Sequence, residues 1–143
     1  MRHTNRWVAT ILVVSGLLGS ACAAAPEEEE STNTAATIEP IEGTDLVRVI
    51  LEAEAAERLG METAPVQSTD GTRTIPYAAV FYGPDGETWT YTSPEELTFE
   101  RAPITVDHFE GDVAFLSDGP PPGTEVVTQG SAELFGTETG VDS

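Results

Sequence analysis

The chain has 143 residues, 25 of them acidic and only six basic, for a formal charge of −19. All six basic residues are arginine, and lysine is absent. So negative a surface repels phosphate backbones, which excludes nucleic acid as a partner. The single cysteine excludes an internal disulfide, so a hydrophobic core has to carry stability.

Residues 1–21 have the three parts of an export signal. Arg2, His3 and Arg6 form a basic head, Trp7 to Leu18 is apolar and uncharged, and Gly19, Ser20 and Ala21 are small. Cys22 follows at once. This arrangement resembles the bacterial lipobox, in which the cysteine is acylated and becomes the new N-terminus; Gly19 stands where that family favours an aliphatic residue. Conventional cleavage around Ala21-Cys22-Ala23 would instead release a soluble protein. A retained membrane helix is disfavoured, because the apolar stretch falls short of the about 20 residues that cross a bilayer. A lone cysteine in an exported chain needs a reason, and acylation supplies one. The expectation is lipidation at Cys22 and a place at the cell membrane, on its extracytoplasmic face.

Residues 22–43 read as a disordered acidic tether, with Glu27 to Glu30 followed by a Ser/Thr/Asn/Ala stretch. Low hydrophobicity and like charge cannot offset the entropy of ordering. The glutamate run would be pushed away from anionic headgroups.

A folded domain is expected over residues 44–136, with a flexible tail over 137–143. Leu46 to Leu51 is a strand, and Glu52 to Leu59 a short helix closed by Gly60. Met61 to Gln67 is extended. Asp70-Gly71 is a hairpin signal. Thr74 to Tyr82 is a strand that Pro76 interrupts, and Pro84-Asp85-Gly86 turns the chain. Thr88 to Thr92 alternates aromatic residues with threonine, which makes a half-buried strand and sets Trp89 and Tyr91 on one face. That pair reads as core before it reads as a ligand platform. Leu97 to Arg101, Ile104 to Phe109, Val113 to Leu116 and Glu125 to Thr128 complete the strands, and Ser131 to Phe135 is a terminal helical turn. Closely spaced strands with turn residues between them predict a mostly β fold: a small antiparallel β-barrel or roll with one or two short helices.

Catalytic signatures are missing from the sequence. It has no phosphate loop, no nucleophile elbow, and no cysteine or histidine cluster with metal spacing, so no enzyme, no cofactor and no metal site is expected. Beyond the signal the only histidine is His108, beside Asp107. Neighbours in a regular strand point to opposite faces, so these two are not expected to form a hydrogen-bonded dyad.

Several pieces together resemble a known family: Glu57 to Val66, Ile75 to Val80, Asp85 to Tyr91, Gly111-Asp112-Val113, and Gly119 to Ala132. They are similar to the membrane-proximal part of the periplasmic adaptor subunits, or membrane fusion proteins, of bacterial efflux systems. In that family a lipoyl module and usually an α-helical hairpin separate the early piece from the late ones. Here Ser68 to Thr74 replaces both with one tight turn. The resemblance implies a non-enzymatic lipoprotein, set against the membrane by its lipid, that accompanies an integral membrane transporter. The acidic excess leaves open an extracytoplasmic module that binds a cation or small ligand.

Overall fold

The computed structural model describes residues 35–140. The export signal, Cys22 and the glutamate run lie outside them.

The fold is mostly β, built from two antiparallel sheets and two short helices. The first sheet contains β1 (Ala36–Pro40), β2 (Val47–Leu51), β3 (Glu62–Pro65), β6 (Phe81–Tyr82), β7 (Thr88–Glu95), β8 (Thr98–Pro103) and β11 (Glu125–Gln129). Its order is β1-β2-β8-β7-β11-β3, with β6 also paired to β7. The second contains β4 (Gln67–Thr69), β5 (Thr72–Pro76), β9 (Thr105–Glu110) and β10 (Val113–Asp118), in the order β4-β5-β10-β9. Neither sheet closes on itself, so among the described residues the barrel form of the expectation does not occur.

Helix α1 (Ala53–Leu59) buries Ala55 and Ala56. It stops where the sequence says it should. Gly60 adopts φ +63°, and the N–H groups of Gly60 and Met61 return to the carbonyls of Glu57 and Ala56, closing a Schellman turn. The β4–β5 hairpin turns on Asp70 (φ 50°) and Gly71 (φ 82°), the two left-handed residues of a type I′ turn. Pro76 ends β5, as an imino residue that cannot donate to the ladder must. The chain then makes a 3-10 turn over Tyr77–Ala79 and crosses to the other sheet.

Two cores result. Val49, Leu51, Ala56, Tyr91, Phe99, Val127 and Leu134 form the first, under helix α2 (Ser131–Thr139). Val66, Ile75, Ala79, Ile104, Ala114, Leu116 and Val126 form the second. Adjacent residues of a strand face opposite ways, so β11 sends Val127 into one core and Val126 into the other. That double burial explains the continuous Val126-Val127 run.

Three boundaries differ from the sequence expectation. Ala36–Pro40, inside the stretch assigned to a disordered tether, is strand β1, in register with Val47–Leu51. Only Ala36 of its five residues is partly buried and even Ile38 is exposed, so the segment carries little burial signal of its own; β2 orders it through the backbone ladder. Helix α2 runs to Thr139, past the expected end of the domain at residue 136. Its last turn is fixed by Glu138, which meets partners on two strands. Leu97, expected to open a strand, instead sits in the β7–β8 turn with φ 60°.

Candidate functional site: a groove beside strand β9

Among the described residues, strand β9 has β10 along one side and no strand along the other. Residues of β9 and of the β6–β7 hairpin line a common groove. The hairpin loop is closed by the Gly83 N–H bonding to the Glu87 carbonyl at 2.9 Å and the Gly86 N–H to the Gly83 carbonyl at 3.0 Å. One end of the gap is clamped, because the Ile104 N–H donates to the Thr88 carbonyl at 3.1 Å and the Thr88 hydroxyl to the Ile104 carbonyl at 2.7 Å. Between hairpin and strand runs a groove of about 570 Å³. Tyr82, Glu87, Trp89, Val106, His108 and Phe109 are among its walls.

The aromatic walls are unusually open. Tyr82 is 61 % exposed and Phe109 40 %. Phe109 meets Tyr77, an exposed ring outside the groove, edge to face at 5.2 Å. Trp89 is held more firmly. A Cβ placed on Gly83 would lie 3.0 Å from the indole nitrogen, a contact tight enough that the ring would have to shift slightly to admit it. The guanidinium of Arg101 lies over the Trp89 ring, 4.4 Å from its centroid.

Arg101 is already engaged. It bonds Glu138 at 3.0 Å, and that carboxylate also accepts from Tyr91. Among the described residues the groove therefore has no free cation, while Glu87 and Asp107 give it acidic walls.

His108 and Asp107 require a correction. Their side chains do meet, with Nδ1 and Oδ2 2.7 Å apart, a distance at which the imidazole N–H donates to the carboxylate. Simple alternation does not apply, because the ladder is irregular here. Phe115 pairs with His108 and Leu116 with Val106, leaving Asp107 as an extra residue in a β-bulge. A bulge re-aims one side chain, and here it turns Asp107 towards its neighbour. The second ring nitrogen, Nε2, faces Glu110 at 3.7 Å rather than a hydroxyl or thiol. The imidazole stacks on Phe115 with centroids 4.5 Å apart. All three polar groups are well exposed, so the arrangement is an acid-flanked surface histidine.

Trp89 and Tyr91 divide their roles. Tyr91 is fully buried and stacks on Phe81 with centroids 5.0 Å apart, which is the core role expected of it. Trp89 lines the groove as well. Nothing in the sequence marks Tyr82 and Phe109 as exposed rings. Their segments look like any half-buried strand, and only the sheet order shows that β9 is an edge.

No group of three histidine, cysteine, aspartate or glutamate side chains suited to a metal occurs among the described residues. No helix among them is long and apolar enough to cross a membrane. No family model, curated protein or solved structure matches the chain.

Proposed function

We propose that the protein is a non-enzymatic accessory of a membrane transporter, lipid-anchored through Cys22 on the extracytoplasmic face of the cell membrane. The observation that carries this reading is the pairing of β3 with β11. The early and late pieces that resemble the efflux adaptors become neighbours there: Ala64 is in register with Val126 and Thr63 with Val127. Three hydrogen bonds bind the pieces further, Val66 N–H to the Thr124 carbonyl and Gly123 N–H to the Val66 carbonyl at 2.8 Å, and Gln129 Nε2 to the Gly60 carbonyl at 2.7 Å. Where an adaptor would insert its lipoyl module between them, this chain carries the short β4–β5 hairpin. Such a plan suits a part that docks beside a transporter and does not extend a duct.

Crosslinking in intact membranes, followed by identification of the partners, tests the proposal. The expected result is recovery of an integral membrane transporter with the wild-type protein and loss of that product with Cys22→Ser. Two or more acyl chains hold a protein stably, so wild type is expected to stay with membranes through a high-salt wash. Failure to recover any integral membrane protein overturns the docking reading, and an unmodified Cys22 in the mature N-terminal peptide overturns the anchor.

The groove beside β9 favours a second reading, an extracytoplasmic module for a cation or small ligand. A metal that binds only the native state raises the melting temperature. Calcium, magnesium, copper and zinc compared with sodium at matched ionic strength decide its metal version.

A further inference from the structure

The geometry points to the free edge of β9 as a docking site for an extended, lysine- or arginine-bearing peptide segment of another protein, which adds to the second sheet as a fifth strand. This holds whether the segment belongs to a transporter or to some other partner.

Among the described residues five strands have a free side: β1, β3, β4 and β9 at the ends of the two sheets, and the two-residue β6, which pairs only with β7. Native proteins block such edges with short length, proline, charge or a bulge, because an open edge pairs with any extended chain. Strand β4 has only three residues, β1 ends in Pro40 and β3 in Pro65. Strand β9 has six residues and no proline, the longest of these edges. Its bulge at Asp107 and a second register shift between Leu116 and Asp118 make the first half of the ladder irregular, so the regular part of this edge is His108, Phe109 and Glu110, paired with Phe115, Ala114 and Val113. Pairing with an edge gives affinity through the main chain, and pockets for alternate side chains give selectivity. The groove that β9 shares with the β6–β7 hairpin offers space for such side chains, with Tyr82, Trp89 and Phe109 among its lining.

Charge selects the occupant. Asp107, Glu110 and Glu87 stand along or opposite the edge, and Arg101, which lies over the Trp89 ring, is bound to Glu138. Open aromatic faces beside carboxylates favour ammonium or guanidinium side chains, which gain both a counter-charge and a ring. The same charge rejects a second copy of this chain. Two copies joined through β9 would set Asp107 and Glu110 of each against those of the other, on molecules that each carry −19.

The test uses the full mature chain with its lipid, in neutral detergent, and fluorescence anisotropy of labelled peptides. The probes are a short peptide of alternating valine and lysine, the same peptide with glutamate for lysine, and a lysine version N-methylated on alternate residues in each of the two phases. The expected result is binding of the lysine peptide, no binding of the glutamate peptide, and loss of binding in one methylation phase only. Tyr82→Ser, at an exposed position, and Asp107→Lys, at the bulge, are each expected to weaken the lysine peptide about tenfold, which is about 1.4 kcal/mol. Circular dichroism confirms that each variant is folded, and if one is not, the other stands in its place. Three results overturn the inference: no binding of the lysine peptide, equal binding of both methylated forms, or affinity unchanged in folded Tyr82→Ser and Asp107→Lys. Light scattering that shows dimers broken by Asp107→Lys, with no peptide bound, would make a second copy the occupant and overturn it too.

Discussion

The phenol of Tyr91 donates a 2.5 Å hydrogen bond to the carboxylate of Glu138, which lies 47 residues further along the chain. Tyr91 belongs to the middle of β7 and Glu138 to the last turn of α2, so this contact pins the C-terminal helix to the sheet. Glu138 also bonds Arg101 on β8 at 3.0 Å, and Arg101 lies between the rings of Trp89 and Phe135. A nine-residue helix does not persist alone in water, so α2 depends on these contacts and on buried Leu134. Glu138→Ala leaves the Arg101 charge without its carboxylate in a largely covered site. The expected cost is about 3 kcal/mol, read by urea unfolding, with a loss of helical circular dichroism.

The same contact sets an alkaline limit. Burial first, then the hydrogen bond to Glu138 and the repulsion of its charge, raise the Tyr91 pKa well above its usual 10.0. The folded state therefore keeps a proton that the unfolded state gives up. This contribution to stability is complete below about pH 10 and is lost as the pH rises above it. Tyr91→Phe removes that dependence. Stability measured between pH 8 and pH 11 is expected to fall more steeply in wild type than in the variant. At neutral pH the variant is expected to be about 2 kcal/mol weaker, since it lacks a hydrogen bond to a charged acceptor.

Thr90, next to Tyr91, gives the opposite sign. It is fully buried, and its hydroxyl finds no partner among the described residues. A polar atom buried in this way costs roughly 1–3 kcal/mol. Thr90→Val keeps the shape and removes the unpaired atom. The variant is expected to be about 1 kcal/mol more stable, seen as a higher urea midpoint with an unchanged slope.

The β4–β5 turn is a purely local device. Gly71 holds φ 82°, and a Cβ added there would meet nothing within 4 Å, so Gly71→Ala brings strain without any clash. The expected loss is about 1 kcal/mol. Asp70→Asn keeps a residue that tolerates the left-handed region and is expected to be near neutral. If Gly71→Ala unfolds at the wild-type urea midpoint, the left-handed turn is not needed in solution.

Local features are legible in the sequence and non-local ones are not. Gly60 and Asp70-Gly71 are readable because a helix stop and a hairpin turn are set by a few consecutive residues. Trp89 and Tyr91 are readable as one face of a strand by alternation alone. Strand β1 is not, because Ala36–Pro40 is ordered by its pairing with β2 and not by its own composition. The end of α2 is not, because Glu138 finds its partners on β7 and β8. The meeting of Asp107 with His108 depends on an extra residue counted against β10, a comparison between two strands that neither segment reveals alone. The groove inherits the same difficulty, since only the order of the strands shows that β9 is an edge.

Gly130 makes the strongest single demand on residue type. It starts α2 in the left-handed region, at φ 100°, and a Cβ there would lie 2.2 Å from the Met61 sulfur. Two costs add in Gly130→Ala. The backbone strain is roughly 1–2 kcal/mol, and forcing the thioether aside adds overpacking of a similar size. The expected total is about 3 kcal/mol. The two costs separate in a double-mutant cycle, because Met61→Ala removes the clash and leaves the strain. In the Met61→Ala background, Gly130→Ala is therefore expected to cost only about 1–2 kcal/mol, with a coupling of at least about 1 kcal/mol between the sites. Equal costs in both backgrounds would mean that the Met61 thioether swings aside without cost and that only the backbone strain at Gly130 counts.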